Sequence, residues 1–256
     1  MHWWLDGYFD FTESQNIKLR PALNALHDWH RQTQLPLYVE MLQKIQSDLS
    51  KDAIEPGTVC ETMNNMQDVI QNIQLETSAM VIEIAPLLSD KQLSYFQKML
   101  QKRTLKWKSE WLQDTQEEQI EARLKKTIDY AEKVYGNLNK LQKTMLKQKL
   151  LTSNYQAEIS YAELLRRNED ALQIVTSLKR ENLDKTEQQA LVEQGFERLR
   201  NSPNSVYQNY ANLLKQGSCE IIADLHATTD AKQKQHAKAW LENFITALKS
   251  LSLNKP

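Results

Sequence analysis

The sequence predicts an all-α protein of about ten helices, joined as antiparallel hairpins into an elongated bundle or array. The 256 residues include only 5 Gly and 6 Pro, and folds with many tight turns need both, since a positive φ is costly for any residue with a Cβ. Apolar residues recur at helical spacing, and no stretch sustains an alternation of period two. Capping boxes mark several helix starts. β-Sandwiches, propellers and glycine-loop nucleotide folds are therefore poor fits.

The bulk composition excludes further classes. The hydrophobic share of 41% is too high for a disordered chain, and no apolar run approaches the ~18 residues of a membrane-spanning helix. The formal net charge of -1 gives no overall field that would recruit nucleic acid. We expect a folded helical protein that does not bind nucleic acid.

Capping boxes and prolines place the helices in order. In such a box a Ser, Thr or Asn caps the helix and a Glu or Gln three residues later bonds back. The boxes are Thr12–Gln15, Thr58–Glu61, Ser89–Gln92, Thr115–Glu118, Asn139–Gln142 and Thr186–Gln189. Junctions are marked by Pro36, Pro56, Pro86 and Pro203, where proline costs no helical hydrogen bond, and by Gly136. The predicted helices are 12–33, 36–51, 58–84, 89–113, 115–135, 139–150, 153–182, 186–201, 203–226 and 229–252.

The first eleven residues are dense in aromatic side chains, and we treat 1–11 as a separate N-terminal segment. Adjacent Trp3 and Trp4 point to different sides of a helix, which suits a membrane interface. The segment could equally fold back on the bundle, and different rings could do each. Residues 12–256 are predicted to form a single all-α domain with a soft subdivision near residue 150.

Arg103 stands between Leu100 and Trp107, where the spacing of the apolar stripe calls for an apolar residue. An arginine that faces a core must be paired and hydrogen-bonded. We expect a buried ion pair with Asp6, Asp10 or Asp28, so that Arg103→Ala would cost ~3 kcal/mol. The alternative is a binding site for an anion or carboxylate.

A basic stretch surrounds the same position and includes Trp107. Its members are Lys98, Lys102, Arg103, Lys106 and Lys108, with Trp111 one turn beyond Trp107. Such a stretch could follow phosphates or lipid headgroups. Since both tryptophans lie on the core stripe, we favour a solvated helix face.

The cysteines and histidines indicate no metal site. Cys60 and Cys219 are 159 positions apart and form no CxxC motif, so they predict no disulfide framework, and whether they meet stays open. His27 and His30 have a spacing that could share a metal, but no third ligand lies at helical distance. We interpret both histidines as structural.

No catalytic constellation emerges from the sequence. It contains no GxSxG motif, no Walker loop and no Ser/His/Asp spacing. The scarcity of glycine also leaves no flexible glycine loop for chemistry. We therefore predict a protein that is not an enzyme and that has no cofactor.

The N-terminal motifs resemble those of a known family. They read Trp4-Leu5-Asp6-x-Tyr8-Phe9-Asp10-Phe11-Thr12-x-x-Gln15 and Trp29-His30-Arg31-x-x-x-Leu35-Pro36-x-Tyr38. This pattern is similar to that of uncharacterised helical lipoproteins of proteobacteria, a domain-of-unknown-function family anchored in the cell envelope. Ser89–Gln92, Arg103–Trp107 (with Thr104 where the family has Asn) and Val134-Tyr135-Gly136 match further motifs. Beyond about residue 150 only the rhythm of the helices agrees.

The resemblance implies a location and a set of candidate residues, but no reaction. In that family a lipidated cysteine precedes the aromatic segment. The resemblance therefore implies a periplasmic protein tethered to the outer membrane. This chain lacks that cysteine, as a soluble fragment would. The matched residues are candidates for a shared polar cluster or binding site: Asp6, Tyr8, Asp10, Trp29, His30, Arg31, Tyr38 and Arg103, with Trp107 beside them. A network that only specifies the fold would use the same residue types.

The leading hypothesis is a non-enzymatic module that binds a protein or another envelope component, through a groove near Arg103 and the 27–38 junction. The alternatives are a cytosolic helical adaptor and, less favoured, a protein that binds small amphiphiles in a cavity between helices.

Overall fold

The chain is helical throughout the part that the structure describes, a computed structural model covering the backbone of residues 2–253 and the side chains of residues 6–252. Within that range eleven α-helices follow one another. They are α1 (His2–Phe9), α2 (Glu13–Trp29), α3 (Leu35–Asp48), α4 (Pro56–Ile84), α5 (Asp90–Trp111), α6 (Gln116–Tyr135), α7 (Lys140–Leu151), α8 (Ala157–Arg180), α9 (Lys185–Arg200), α10 (Ser205–Ala227) and α11 (Ala231–Leu253). The predicted all-α class is confirmed.

Local capping chemistry sets most helix starts. The boxes at Ser89, Thr115 and Asn139 each form in both directions, and Thr12 exchanges the same two bonds with Gln15. The box predicted at Thr186 is wrong. Asp184 caps α9 instead and exchanges bonds with Glu187, because an aspartate carboxylate accepts the same backbone hydrogen bond as a hydroxyl.

Two other junctions differ from the prediction. The start predicted at Thr58 is wrong because α4 begins at Pro56, whose fixed φ suits the first helical turn. Between α2 and α3 the chain does not leave the helix: residues His30–Gln34 form a π-helical segment. Pro36 then falls in the first turn of α3, where its missing N–H costs no bond.

By its contacts the chain divides into two compact units, each made of separate stretches. Unit 1 holds the described residues up to Trp29, with Val69–Leu112 and Gln156–Gln208. Unit 2 holds His30–Asp68, Gln113–Tyr155 and the described residues from Asn209 on. The single domain over 12–256 stays a prediction.

Unit 1 is built around α5 and α8. Helix α8 packs on α5, on α9 and on a short 3-10 turn at Ala85–Leu87, and α1 packs on α5. The core includes Leu19, Leu88, Phe96, Leu178 and Val192. These side chains come from four helices and the turn before α5, so unit 1 has its own hydrophobic core.

Unit 2 is built around α11. Helix α11 packs on α3 and on α6, while α7 packs on α6. Its core includes Leu124, Leu146, Leu225 and Leu241, and Leu146 is fully buried. Unit 2 therefore has a separate core of its own.

Both units contain the same hydrogen-bonded device, a pair of glutamine amides. In unit 1 the Nε2 of Gln15 donates to Oε1 of Gln92 at 3.1 Å, and that of Gln92 donates back at 2.8 Å. In unit 2 Gln142 and Gln233 exchange the same bonds at 2.9 and 3.0 Å. Each of the four glutamines is also the N3 residue of a capping box.

Each glutamine also donates a hydrogen bond from its side-chain amide to a backbone carbonyl. That carbonyl lies next to the start of the helix that contains the other glutamine of the pair. Gln15 donates to the carbonyl of Leu87 and Gln92 to that of Asp10. In unit 2, Gln142 donates to Thr228 and Gln233 to Asn137. The amide pair therefore joins two helix starts in each unit and satisfies buried polar groups on both sides.

The two cysteines form a disulfide in unit 2, which corrects the expectation that they belong to no disulfide framework. Cys60 of α4 and Cys219 of α10 lie with their Cα atoms 5.5 Å apart. Sequence spacing cannot reveal such a pair, because only tertiary packing brings two helices separated by 159 residues together.

Candidate functional site

Asp6 and Asp10, which the sequence placed in a polar cluster, shape the turn between α1 and α2. The Oδ1 of Asp6 accepts the backbone N–H of Phe11 at 2.9 Å, and the carbonyl of Asp6 accepts that of Asp10 at 2.8 Å. Asp10 has a φ of 50°, in the left-handed region where Asn and Asp are the tolerated non-glycine residues. The carboxylate of Asp6 and the left-handed backbone of Asp10 therefore both shape this turn.

The aromatic rings of residues 8–11 pack inward. Phe9 stacks on Phe96 with ring centroids 4.6 Å apart, Phe11 is buried, and Tyr8 meets the edge of Phe96 at 6.4 Å. The expectation that this segment folds back on the helices holds for these three rings. The side chains of Trp3 and Trp4 lie outside the described residues.

Arg103 is not in the core, and its predicted buried ion pair is wrong. The side chain is exposed, and its guanidinium carbon lies 5.3 Å from the ring centroid of Tyr8. The core position belongs to Thr104, which is 6% exposed and follows Leu100 by four residues. The prediction placed the next core residue three positions after Leu100. In a helix of 3.6 residues per turn, the next residue on the same face can be three or four positions further on, and here it is four.

Thr104 is hydrogen-bonded within unit 1. Its hydroxyl donates to the carbonyl of Leu100 at 3.0 Å and accepts from the amide of Asn168 at 2.8 Å. Trp107, one turn on, stacks on Tyr161 of α8 at 5.8 Å. Thr104 and Trp107 therefore fix α5 against α8, while the lysines around them are exposed as predicted.

The second matched motif crosses from unit 1 to unit 2. Trp29 is the last residue of its stretch in unit 1, while His30, Arg31 and Tyr38 belong to unit 2. The Nε2 of His30 lies 3.1 Å from the hydroxyl of Tyr38, and the two rings meet edge to face. Burial raises the pKa of Tyr38, so its hydroxyl stays protonated and can donate this bond.

The candidate residues thus form separate local contacts. Tyr8 meets Arg103 in unit 1, and His30 meets Tyr38 in unit 2. Because Arg103 and residues 30–38 belong to different units, a shared cluster and a groove between them stay predictions. His27 and His30 likewise fall in different units, and within the described residues no three His, Cys, Asp or Glu side chains are grouped to hold a metal.

A small cavity that the sequence did not indicate lies in unit 1. It measures about 190 Å³ and opens between α8, α9 and the C-terminal part of α4. The surface that lines it is entirely apolar, so the two charged residues among those that line it, Arg167 and Asp170, present only apolar atoms to it. The lining residues are Val81, Arg167, Asp170, Ala171, Ile174, Val175, Val192, Gly195, Phe196 and Leu199.

Gly195 brings α9 close to α8 beside this cavity. A Cβ at position 195 would overlap the Cδ1 atom of Ile174, which itself lines the cavity. Glycine at this position therefore leaves room for the end of the Ile174 side chain beside the cavity. The lone Gly195 within α9 is the only sequence signal that could have indicated this close approach.

A network of ionised side chains borders the cavity. Glu163, only 4% exposed, accepts hydrogen bonds from Arg166, from the Nε of Arg167 at 2.8 Å and from Ser202 at 2.9 Å. Asp170 accepts two bonds of 2.9 Å from Arg198 and one of 2.5 Å from Arg166. Both carboxylates are therefore fully engaged by guanidinium groups and a hydroxyl.

The network keeps both carboxylates ionised. Burial is the largest single influence on the pKa of Glu163 and opposes ionisation, but the bonds from Arg166, Arg167 and Ser202 together lower that pKa. The bond from Arg198 is the main cause that lowers the pKa of Asp170. Three guanidinium groups thus face two carboxylates, and one positive charge is not compensated.

Unit 2 contains a fully buried histidine, His226. Its Nε2 lies 3.0 Å from the carbonyl of Lys51 and its Nδ1 lies 3.1 Å from the hydroxyl of Tyr135. A carbonyl only accepts, so Nε2 carries the proton and Nδ1 accepts from Tyr135. Burial lowers the pKa of His226 and raises that of Tyr135 to about 12.

The sequence profile of one family matches residues 7–193, which is most of the chain and includes α2–α8. The chain belongs to DUF6279, a family of unknown function. No curated protein and no solved structure matches it. The DUF6279 match includes Tyr8, Arg103 and Trp107 and ends inside α9, before Gly195.

Membership of DUF6279 agrees with the predicted resemblance in one respect, that the family has no assigned function. None of the described helices is long and apolar enough to cross a bilayer.

Proposed function

We propose that this chain is a non-enzymatic binding module of the bacterial cell envelope, the periplasmic domain of a lipoprotein held at the outer membrane. The observation that carries the proposal is the disulfide between Cys60 and Cys219. Disulfides persist in oxidising compartments such as the periplasm and are rare in the cytosol. The resemblance of the N-terminal motifs to proteobacterial lipoproteins supports the same location.

The redox state of the two cysteines in living cells tests this proposal. The complete genomic reading frame is expressed in its own host, thiols are trapped with an alkylating reagent that adds mass, and the cells are fractionated. We expect unmodified, disulfide-bonded protein in the membrane fraction, released by detergent.

A matched control isolates the compartment as the cause. The same chain, expressed from Met1 without any upstream segment, should be alkylated at both cysteines in the cytosol. Reduced cysteines on the full reading frame, with protein in the cytosolic fraction, would favour the cytosolic adaptor and overturn the proposal.

A second candidate function is the binding of a small amphiphile, which the apolar cavity of unit 1 favours. A cavity of about 190 Å³ exceeds the ~150 Å³ of an engineered apolar cavity that binds benzene. Titration with neutral 3-phenylpropan-1-ol, followed by methyl NMR signals of Val175 and Val192, tests this candidate. Unchanged methyl shifts at saturating probe would contradict it.

A further inference from the structure

We infer that the chain is a tandem duplication whose two repeats have exchanged helices, so that the interaction partner of each repeat is the other repeat. The first repeat runs from α1 to α5 and the second from α6 to α11. The pairing of the repeats is independent of the functions proposed above.

The linked glutamines set the alignment of the two repeats. Gln15 of α2 corresponds to Gln142 of α7, and Gln92 of α5 corresponds to Gln233 of α11. The backbone carbonyls that these amides bind each stand five residues before a glutamine of the same pair. They are the carbonyls of Asp10 and Leu87 in the first repeat and of Asn137 and Thr228 in the second. Both repeats therefore contain the same network at the same positions.

The turn before the first glutamine has the same construction in both repeats. Asp6 of α1 accepts the backbone N–H of Phe11, and Glu132 of α6 accepts that of Leu138 at 3.1 Å. Within the described residues, a positive φ occurs only directly after α1 and directly after α6, at Asp10 and Gly136.

The buried positions of the two repeats also coincide. The members of each equivalent pair lie at the same distance from the corresponding glutamine. These pairs are Leu19 and Leu146, Ser78 and Cys219, Ala85 and His226, Phe96 and Ala237, and Thr104 and Ile245. Helical periodicity alone would not keep this register across the junctions before α5 and before α11. The repeats therefore share a pattern of burial, although the amino acids differ.

The exchange is visible in the helix that packs on α5 and on α11. Helix α8 of the second repeat packs on α5 in unit 1, and α3 of the first repeat packs on α11 in unit 2. Each unit contains both ends of one repeat and the middle of the other, which is Gln156–Gln208 in unit 1 and His30–Asp68 in unit 2. Domain swapping between two identical protomers produces this arrangement.

In unit 1 the exchanged stretch binds the face of α5. The amide of Asn168 donates to the hydroxyl of Thr104 at 2.8 Å, and Tyr161 stacks on Trp107 with ring centroids 5.8 Å apart. Leu178 of the same stretch is 2% exposed and belongs to the core of unit 1. The core of unit 1 therefore needs helices from both repeats.

In unit 2 the exchanged stretch binds α11. Gln46 of α3 donates to the carbonyl of Lys238 at 3.1 Å and to Glu242 at 3.0 Å. The disulfide joins Cys60 of this stretch to Cys219 and is therefore a covalent link between the repeats.

Cleavage between the repeats tests the exchange. A protease site is inserted between Gln113 and Asp114 of the full chain, and the disulfide is reduced after cleavage because it links the repeats. We expect both fragments to remain one folded species in size-exclusion chromatography. Its melting temperature should rise with protein concentration, since folding of each unit now requires two molecules to associate.

The uncut chain with the same insertion, equally reduced, is the matched control, and its melting temperature should not depend on concentration. A stabilising osmolyte is added to both samples if reduction alone unfolds the control. Two fragments that separate as folded species would overturn the exchange, and so would a cleaved chain whose melting temperature is independent of concentration.

Sequences of other DUF6279 proteins test the duplication. Profiles of the ranges that correspond to 2–111 and 116–253 should align with Gln15 opposite Gln142 and Gln92 opposite Gln233. Alignment in another register, or no alignment, would overturn the duplication, whereas the exchange is decided by the cleavage result.

Discussion

Glu163 illustrates how this protein keeps charge in its interior. A buried carboxylate without partners would be very costly, and here two arginines and Ser202 bind its two oxygens. The arginines lie three and four positions along α8, so the spacing of the helix places them beside the carboxylate. The bonds to Arg166 and Arg167 are therefore local in sequence, whereas the bond to Ser202 forms only because the chain that follows α9 returns to α8.

Removing that carboxylate should be costly. We expect Glu163→Ala to lower the free energy of unfolding by about 3 kcal/mol, because Arg166 and Arg167 lose a buried partner. Urea unfolding followed by NMR signals of unit 1 measures the change. The control Glu197→Ala, which breaks the exposed pair with Arg200, should cost less than about 1 kcal/mol. Equal losses in the two variants would contradict the argument.

Arg103 should matter far less than its sequence position indicates. Since it is exposed and contacts Tyr8 through the ring face, we expect Arg103→Ala to cost less than about 1 kcal/mol. Thr104→Val should cost more, because it removes the buried acceptor of Asn168. Thermal unfolding of both variants tests which substitution costs more stability. A larger loss of stability in Arg103→Ala than in Thr104→Val would contradict the placement of Thr104, rather than Arg103, in the core.

His226 should make stability depend on pH. The histidine is neutral when folded, so the unfolded chain binds more protons below its ordinary pKa of about 6.5. Stability is therefore full above that pH and falls as the pH drops below it. The nearby charges are Lys234, which lowers the pKa further, and Asp52, which opposes this, while burial dominates.

The measurement is urea unfolding between about pH 7 and pH 5, above the range where carboxylates titrate. His226→Gln should reduce the dependence of the free energy of unfolding on pH in this range. The substitution His236→Gln, at an exposed histidine, should leave that dependence as it is in the original chain. A curve that His226→Gln does not change would contradict the role of the histidine.

At the scale of helices, both units contain the same arrangement, in which a pair of glutamines links two capping boxes. A capping box normally satisfies only the end of its own helix. Here the N3 residue is a glutamine, whose amide has further hydrogen-bonding groups after the box is formed. In both units those groups bind a second capping box, so that two helix starts are fixed together.

Truncating one glutamine should therefore affect two helices. We expect Gln142→Ala to cost about 3 kcal/mol, since its four side-chain hydrogen bonds are lost and Gln233 is left with a buried amide. Gln148→Ala, an exposed site on the same helix, should stay within about 0.5 kcal/mol. A double-mutant cycle with Gln233 measures the coupling, and additive losses would show that the pair does not act as a unit.

At the scale of the whole molecule, two units with separate cores share one chain that passes between them several times. The disulfide lies within unit 2 and closes a loop of 159 residues. Such a cross-link stabilises mainly by restricting the unfolded chain. Because both cysteines lie in unit 2, we expect the loss of the disulfide to lower the stability of unit 2 more than that of unit 1.

We expect Cys60→Ser/Cys219→Ser to lower the free energy of unfolding of unit 2 by about 2–5 kcal/mol. Hydrogen exchange of backbone amides in α11 measures the stability of unit 2, and exchange in α8 measures that of unit 1. A reductant should destabilise the original chain and leave the double variant unchanged. Equal loss of protection in both units would contradict the assignment to unit 2.

The predictability of each element follows from the range of its interactions. Helix ends at Ser89, Thr115 and Asn139 could be predicted because a capping box involves residues three apart. Helix α1 was not predicted because its end depends on Asp6 and on a left-handed Asp10. The prediction placed Arg103 on the face of α5 that packs into the core, where the structure has Thr104. The sequence of one helix does not show which of its faces the neighbouring helices cover.

By itself, the sequence determined the all-α class, most helix boundaries and the similarity of its motifs to a family of unknown function. Those properties depend on periodicity, capping and composition, which act over a few residues. Only the tertiary structure decided the pairing of Cys60 with Cys219, the linked glutamines, the burial of His226 and the cavity beside Arg167. Each of these depends on helices far apart in the chain, and local patterns do not specify which helices meet.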